Sequence, residues 1–530
     1  MRRPAVLALV PSVLVLLALA APAAAHHTGD FRLNMVHLFQ SPNATVATNS
    51  DLAFWGDRAY AGNYDGFRIF DISDPAAPLQ LADVRCAGNQ ADPIVWQNRL
   101  LLLSVDEVME GSECGAEPAD ATDRDALEDP GNWEGVRIFD VSDPSNVTQI
   151  KAVETDCGAH TITLFPKNPA QLMVYVSSYS LRPGPACGTN TGDSPVHEKI
   201  SVIRVPVKNP KAAKVVATPK ISYPGDPDNV FDPQEHGLPE LQGTGIPFGD
   251  LTACHDIGVF VELRLAAGAC AEQSQLWRIK RNGIPDTRHP LWVFDDTVDE
   301  TGTTGDADDP GVVIDFHHSA TFSADGSIVN IIDESFGEGC PTTTDAPVGG
   351  DSGRMFFLDA ATGKKFSHFM IDGARQSGDY CSAHLGNVVP TADRNLLVNA
   401  WYTGGVDVID FTDPSNPVEI AYYDHVDDPA TPFLDENQNN WSAYWYEGPS
   451  LPEGSLTIYT TQDDPGTEEK PSAFGFDVFR ADIDVNEQKL PFLNPQTQMR
   501  VLGSSPKGKG NGKGVALAPG QFKSKGKRGK

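Results

Sequence analysis

The sequence predicts an all-β fold that is built from one repeated sheet unit. The 530 residues include 48 glycines and 41 prolines, and 40% of the chain is hydrophobic while 21% is charged. This composition is typical of a globular chain with many turns, and it excludes collagen, coiled coils and wholly disordered chains. The formal net charge of −32 argues against a nucleic acid as a partner, because an anionic surface repels phosphate.

A short motif recurs along the chain: a β-rich run ends at an aspartate, and a tight turn leads into a second run. The motif is clearest at 66–75 (GFRIFDISDP), 135–144 (GVRIFDVSDP) and 405–414 (GVDVIDFTDP). The Ser/Thr-Asp-Pro segment ends each run, because proline cannot donate to the ladder of a strand interior. Weaker copies lie at 200–206, 275–280, 354–360 and 475–481.

Seven copies of a four-stranded unit predict a seven-bladed β-propeller with four strands in each blade. The seventh copy lacks an evident outer strand, whereas residues 31–40 precede the first blade and have no other role. We therefore expect an N-terminal strand, residues 31–40, to complete the last blade and close the ring. Closure would remove the exposed edges of the sheets.

These repeats resemble those of the LVIVD-repeat proteins, which are secreted β-propeller proteins. The likeness extends over most of residues 31–484. It implies a propeller fold and export from the cell, and it implies no defined biochemical activity. We accordingly expect the propeller to occupy residues 26–484.

The two ends of the chain differ from this body. Residues 1–25 have a basic start, an apolar run and an Ala23-x-Ala25 cleavage site, as in a signal peptide. No later segment has the ~18 to 20 apolar residues of a membrane helix, so we expect a secreted, extracellular monomer. Residues 485–530 form a C-terminal extension whose Gly/Lys-rich end predicts a disordered basic tail, with an anionic cell wall or no partner as alternatives.

One position of the repeat carries candidate metal ligands. When the innermost strands are aligned by their apolar alternation, one residue from each strand falls in the same register. Neutral imidazole binds zinc, copper and iron, and a carboxylate beside it can complete their coordination. We therefore expect a transition-metal site in the channel, with a water-filled channel as the alternative. The expected ligands are His160, His255, His318, His384, Asp51 and Asp92, and Trp441 shares their register.

The long insertions of the sequence all belong to one face of the expected propeller. Loops longer than ~12 residues in a compact domain are usually functional, so we place the ligand-binding site on this face. Strand-end residues there could contact the ligand, orient the metal ligands or act as acid or base, and each is equally explained as an ordinary loop residue. They are Tyr64, Asp106, His197, Glu198, Asp333, Glu334, Trp401 and Trp441.

A loop at 295–309 contains six aspartates and could hold Ca²⁺, although a solvated acidic loop explains it better. The even number of cysteines, 8, predicts disulfides in an exported protein, and a reactive or metal-binding cysteine is the alternative. The order of the blades suggests four pairs. They are Cys86–Cys114, Cys157–Cys187, Cys254–Cys270 and Cys340–Cys381.

Together these features predict a secreted propeller that binds a transition metal and a ligand at one face. If it is an enzyme, a metal on histidines with a carboxylate base would support metal-dependent hydrolysis or oxidation. The alternative is a non-enzymatic binding or scaffold module whose loops hold a protein or a polysaccharide. A small-molecule, protein or polysaccharide ligand is compatible with the sequence.

Overall fold

The computed structural model describes residues 32–41, 47–178, 183–187, 197, 199–222, 253–270, 273–294, 314, 316–334, 353–371, 381–391, 393–424, 440–447, 456–462, 475–485 and 489–499. Regular structure in these residues is almost entirely β-strand, which confirms the all-β prediction. The helical segments described are α1 (Arg124–Leu127) and two 3₁₀ turns, Pro144–Asn146 and Pro210–Ala212. None of the described helices is long and apolar enough to cross a membrane.

The strands follow one another in sets of four after two N-terminal strands, β1 (Arg32–Leu33) and β2 (Met35–Ser41). The first sets are β3 (Asn49–Trp55), β4 (Arg58–Asn63), β5 (Gly66–Asp71) and β6 (Leu79–Arg85), then β7 (Pro93–Trp96), β8 (Leu100–Met109), β9 (Trp133–Asp140) and β10 (Thr148–Glu154). The next are β11 (Thr161–Asn168), β12 (Gln171–Ser177), β13 (Ser201–Pro206) and β14 (Lys214–Ala217), then β15 (Asp256–Phe260), β16 (Leu265–Cys270), β17 (Gln273–Arg278) and β18 (Trp292–Phe294).

The remaining strands continue this pattern to the C-terminal end of the sheets. They are β19 (His317–Phe322), β20 (Ile328–Asp333), β21 (Met355–Asp359) and β22 (Lys365–Phe369), then β23 (Leu385–Val389), β24 (Leu396–Ala400), β25 (Val406–Asp410) and β26 (Val418–Tyr423). The last are β27 (Asn440–Trp445), β28 (Leu456–Gln462) and β29 (Phe476–Ala481), followed by two short strands, β30 (Phe492–Leu493) and β31 (Thr497–Gln498).

Neighbouring strands within each set pair antiparallel, and the first strand of each set, here called the inner strand, lines the centre. The inner strands β3, β7, β11, β15, β19, β23 and β27 contact one another in this order, and β27 contacts β3 again. The sheets are therefore arranged in a ring around a channel. This is the architecture of a β-propeller.

The N-terminal strand supplies the outer strand of the last set. β2 pairs antiparallel with β29, with Met35 opposite Ala481 and Ser41 opposite Phe476. This is the role that the sequence predicts for residues 31–40. The preceding strand β1 has a different partner, because it pairs with β26 of the neighbouring set.

The hydrophobic pattern of the strands follows from this stacking. Every residue of β3 is buried, whereas the outer strand β6 is largely exposed or half-buried. Both faces of the inner strands are covered by adjacent sheets, so these strands are buried along almost their whole length. Phe67 of the first set and Phe139 of the second pack with their ring centroids 5.2 Å apart. The repeated apolar runs thus form the core between neighbouring sheets.

The repeated aspartates end the third strand of their set. The carboxylate of Asp71 accepts a hydrogen bond from the backbone N–H of Ser73, two residues along the chain. Asp140 accepts in the same way from Ser142, and Asp410 from Thr412. These are Asx turns, which aspartate favours because its short side chain reaches its own backbone. The recurring Asp of the motif is therefore structural.

The segment 489–499, here called the strap, crosses one end of the channel. Its strand β30 pairs with β3, and β31 pairs with β15. Between them, the side chain of Asn494 accepts a hydrogen bond from the Val95 N–H and donates one to the Val95 carbonyl. The strap lies at the carboxyl ends of these inner strands. The sequence predicts only a C-terminal extension for residues 485–530 and gives no sign of the strands of the strap.

Three disulfides link Cys86 with Cys114, Cys157 with Cys187, and Cys254 with Cys270. These are three of the pairs that the order of the blades suggests. Cys381 is disulfide-bonded as well, and Cys340, its expected partner, lies outside the described residues. No cysteine in the described part of the chain is free, which argues against a cysteine nucleophile or metal ligand there.

Candidate metal centre

Four histidines lie side by side at the amino ends of four consecutive inner strands. His160, His255 and His384 each directly precede an inner strand, and His318 is the second residue of β19. The ring centroids are 4.4 Å apart between His160 and His255, 3.9 Å between His255 and His318, and 4.4 Å between His318 and His384. Strands that are neighbours in the ring thus bring together imidazoles that lie far apart in the sequence.

Glu334 joins this cluster from the end of β20. Its Oε2 lies 3.4 Å from Nε2 of His318, and its Oε1 lies 3.7 Å from Nε2 of His384. One ligand atom from each of His255, His318 and Glu334 lies within 4.8 Å of the others. Two imidazoles and a carboxylate at these distances could hold one metal ion.

Two of the imidazoles are oriented by acceptors on their Nδ1 side. The main-chain carbonyl of Trp441 lies 2.5 Å from Nδ1 of His384, and a carbonyl can only accept, so this Nδ1 carries the proton. Asp106 Oδ2 lies 2.6 Å from Nδ1 of His160, whose Nε2 is 2.8 Å from Nε2 of His255. Acceptors on Nδ1 are the usual arrangement around metal-binding histidines, because they leave the Nε2 lone pair for the ion.

Burial keeps the central imidazoles neutral. Burial lowers the pKa of His384 to about 3, and burial followed by repulsion from neighbouring histidines lowers the pKa values of His255 and His318 well below the ordinary value. Neutral imidazole is the form that binds metals. Neither ring nitrogen of His318 has a hydrogen-bond partner within the described chain, although the residue is fully buried. A buried imidazole without a hydrogen bond is what a metal ligand would look like before the ion binds.

Asp51 and Asp92 do not join the histidines, contrary to the sequence analysis. They line a cavity of about 10 Å³ together with Asp256 and Tyr444, and none of the four histidines lines it. Tyr444 donates a hydrogen bond to Asp51, and Asp92 accepts one of 2.7 Å from the Ile162 N–H. The register shifts in β3 between Asn49 and Leu52. Such an irregularity re-aims side chains, and apolar alternation cannot reveal it.

The carboxyl groups that line this acidic cavity have raised pKa values. Burial raises the pKa of Asp51 to about 7 and that of Asp256 to about 8. Burial, and then repulsion from Asp51, raises the pKa of Asp92 well above its ordinary value. Among the described residues that line this cavity there is no lysine or arginine, so none of them would offset the charge of an ionised carboxylate.

The aromatic residues expected on this face divide between the site and the core. The Trp441 ring lies 4.7 Å from that of His384 and 6.2 Å from that of Tyr64. Both aromatic side chains therefore lie at the channel mouth, which is the end of the channel where the four histidines lie. Trp401 instead is fully buried and packs on Phe369 at 6.0 Å. Its expected role in ligand binding is therefore not supported, because its side chain points into the core.

Some of the polar residues expected on this face join the histidines, and others do not. Asp106 and Glu334 join the histidines, whereas Asp333 accepts hydrogen bonds from the backbone N–H groups of Phe316 and Gly353 and so holds two loops. His197 is buried, and its Nδ1 lies 2.6 Å from the Ser178 carbonyl. Glu198 and the acidic loop 295–309 lie outside the described residues.

Tyr402 is a site residue that the sequence does not predict. Its hydroxyl donates a hydrogen bond to Oε1 of Glu334, and its ring lies 4.8 Å from that of His384. The position at the strand end predicts its neighbour Trp401 instead. A backbone φ of 43° at Tyr402 places it in the left-handed region, and no sequence signal indicates this for a tyrosine.

One segment of the chain matches a known repeat family. The LVIVD repeat matches residues 48–84. No curated protein matches the chain. Among solved structures, the chain is similar to a candidate 6-phosphogluconolactonase from Bacteroides uniformis, with 12% identity over 81% of this chain and 95% of that one and a TM-score of 0.39. It is also similar to the Dos1 propeller, with 10% identity over 82% and 78% of the two chains and a TM-score of 0.41.

The ring of contacting inner strands defines the chain as a β-propeller protein. The matched segment 48–84 covers the first set of strands almost from end to end. The chain is therefore a β-propeller protein with an LVIVD repeat in its first set of strands, in agreement with the resemblance of its repeats.

Proposed function

We propose that this protein is a seven-bladed propeller that binds a transition-metal ion, and a ligand beside it, at one mouth of its channel. The sets of four strands and the closed order of inner strands support the seven blades. Disulfides persist in oxidising compartments, so the three described pairs support secretion.

The observation that carries the proposal is the convergence of His255, His318 and Glu334 within 4.8 Å. These three residues would be the ligands, and the Nε2 atoms of His160 and His384 lie next to them. Two imidazoles and one carboxylate suit zinc, copper or iron, and leave coordination positions for a ligand or water. When bound, such an ion would polarise a ligand oxygen or lower the pKa of a bound water.

The chain's own residues would prepare this site in three ways. Burial holds the imidazoles of His255, His318 and His384 in the neutral, metal-binding form. The acceptors at Nδ1 of His160 and His384 direct their Nε2 atoms inward. The half-buried rings of Tyr64 and Trp441 would contact the ligand at the mouth. The strap crosses the other end of the channel, so a ligand would enter from the mouth.

Elemental analysis tests the metal site, on protein purified without a histidine tag and dialysed against zinc, copper or iron. The wild-type protein should retain about one equivalent of one of these metals, because two buried imidazoles and a carboxylate would bind it tightly. His318→Ala and Glu334→Gln should each lose most of it.

The matched control is His317→Gln, which alters the adjacent buried histidine. Nδ1 of His317 lies 2.8 Å from the Ser274 hydroxyl rather than in the cluster, so this variant should keep its metal. Less than about a tenth of an equivalent in the wild-type protein would refute the metal site and would favour a metal-free binding module. An equal loss in His317→Gln would show that the losses are not specific to the cluster.

A further inference from the structure

The hydrogen bond between Tyr402 and Glu334 joins two neighbouring sheets at the metal centre. Glu334 follows β20 of one set, and Tyr402 follows β24 of the next. The phenol donates to Oε1 of Glu334, while Oε2 of the same carboxylate faces Nε2 of His318 at 3.4 Å. Oε1 also lies 3.7 Å from Nε2 of His384, so the two oxygens face different histidines. One is engaged by the phenol, and the other faces the proposed metal position.

The backbone of Tyr402 has an unusual conformation at the position from which its hydroxyl reaches Glu334. Its φ of 43° is costly for a residue with a bulky side chain. Asn440 stabilises it from the next inner strand, because its backbone N–H and its side-chain amide donate to the Tyr402 carbonyl at 3.0 and 2.9 Å. Gln462 in turn donates to the side-chain oxygen of Asn440 at 2.8 Å. Strain that is fixed from several directions is typical of functional sites.

We propose that Tyr402 is a positioning residue that holds Glu334 in the orientation of a metal ligand, an inference that rests on the proposed metal centre. The hydroxyl fixes Oε1 and so keeps Oε2 directed at the position between His255 and His318. Removing the hydroxyl would remove the hydrogen bond that fixes Oε1 and so weaken the restraint on the orientation of the carboxylate. Loss of a residue that orients a metal ligand typically costs 10- to 100-fold in metal affinity.

This experiment compares Tyr402→Phe with wild-type protein by competition with a chromophoric zinc chelator. The dissociation constant for zinc should rise about 10- to 100-fold, and the visible spectrum of the cobalt-substituted protein should change with the ligand geometry. The matched control is Tyr444→Phe. It removes another buried phenol that donates to a carboxylate, that of Asp51, in the separate acidic cavity, and it should leave zinc affinity and the cobalt spectrum unchanged.

A double-mutant cycle distinguishes positioning from a general structural effect. If Tyr402 acts through Glu334, Tyr402→Phe should cause no further loss of affinity in a Glu334→Gln background. Asn440→Ala, which removes one support of the Tyr402 carbonyl, should weaken zinc binding in the same direction. Wild-type affinity in Tyr402→Phe, or fully additive losses in the cycle, would overturn this inference alone. Absence of metal from the wild-type protein would overturn the proposed metal centre as well.

Discussion

Truncation of the chain after Val485 is expected to destabilise the propeller by more than about 5 kcal/mol, which is comparable with the entire stability of many domains. The truncation removes the strap, in which Phe492 is 7% exposed and Asn494 is 3% exposed. The ring of Phe492 stacks on that of Trp55 at 4.2 Å, and deleting a buried phenylalanine side chain alone costs about 3 to 5 kcal/mol. Loss of Asn494 would leave the backbone groups of Val95 without their partner, at a further cost of about 1 to 3 kcal/mol.

Guanidinium unfolding followed by fluorescence measures this effect as a shift of the midpoint. Truncation after Met499 is the control, because it keeps the strap and removes only the basic tail, and its midpoint should equal that of the full chain. Phe492→Ala should lie between the two. If truncation after Val485 unfolds at the same midpoint as the control, the strap contributes nothing to stability.

The sequence predicts the ring well because each blade repeats the same physical requirements. The apolar runs of β5 and β9 are buried between neighbouring sheets, and the aspartates that end them form Asx turns, so both features recur in the sequence. The strap has no such pattern. Only Phe492 and Leu493 pair with β3, and Asn494 acts through hydrogen bonds to a backbone, which any sequence offers.

The site is predicted only in part, for reasons that are local. The four histidines share one register because each lies at the start of an inner strand. Asp51 follows the same register but faces another cavity, because β3 is irregular between Asn49 and Leu52. Trp401 and Tyr402 differ by one position, and the left-handed turn at Tyr402 decides which of the two reaches Glu334. The hydrophobic periodicity of a sequence does not reveal bulges or single left-handed residues of this kind.

Replacing Asp51 by asparagine is expected to stabilise the protein at alkaline pH. Burial raises the pKa of this carboxyl from 3.8 to about 7 in the folded protein. The folded state therefore holds the proton more tightly than the unfolded state does. This contribution to stability is fully present below the unfolded pKa and is lost as the pH rises through about 7. At pH 8 the loss amounts to roughly 4 kcal/mol, since one pKa unit corresponds to about 1.4 kcal/mol.

Asparagine cannot ionise, and its side-chain oxygen can still accept the hydrogen bond from Tyr444. Asp51→Asn should therefore be more stable than wild-type protein at about pH 8 and nearly equal to it below about pH 4, where both side chains are neutral. Denaturant unfolding of metal-free protein at both pH values measures the difference. The control is Asp482→Asn, which removes one charge at an exposed pair with Arg480 and should change stability by less than about 1 kcal/mol at either pH. A variant of Asp51 that is less stable than wild-type protein at pH 8 would show that the ionised carboxylate is stabilised in the cavity.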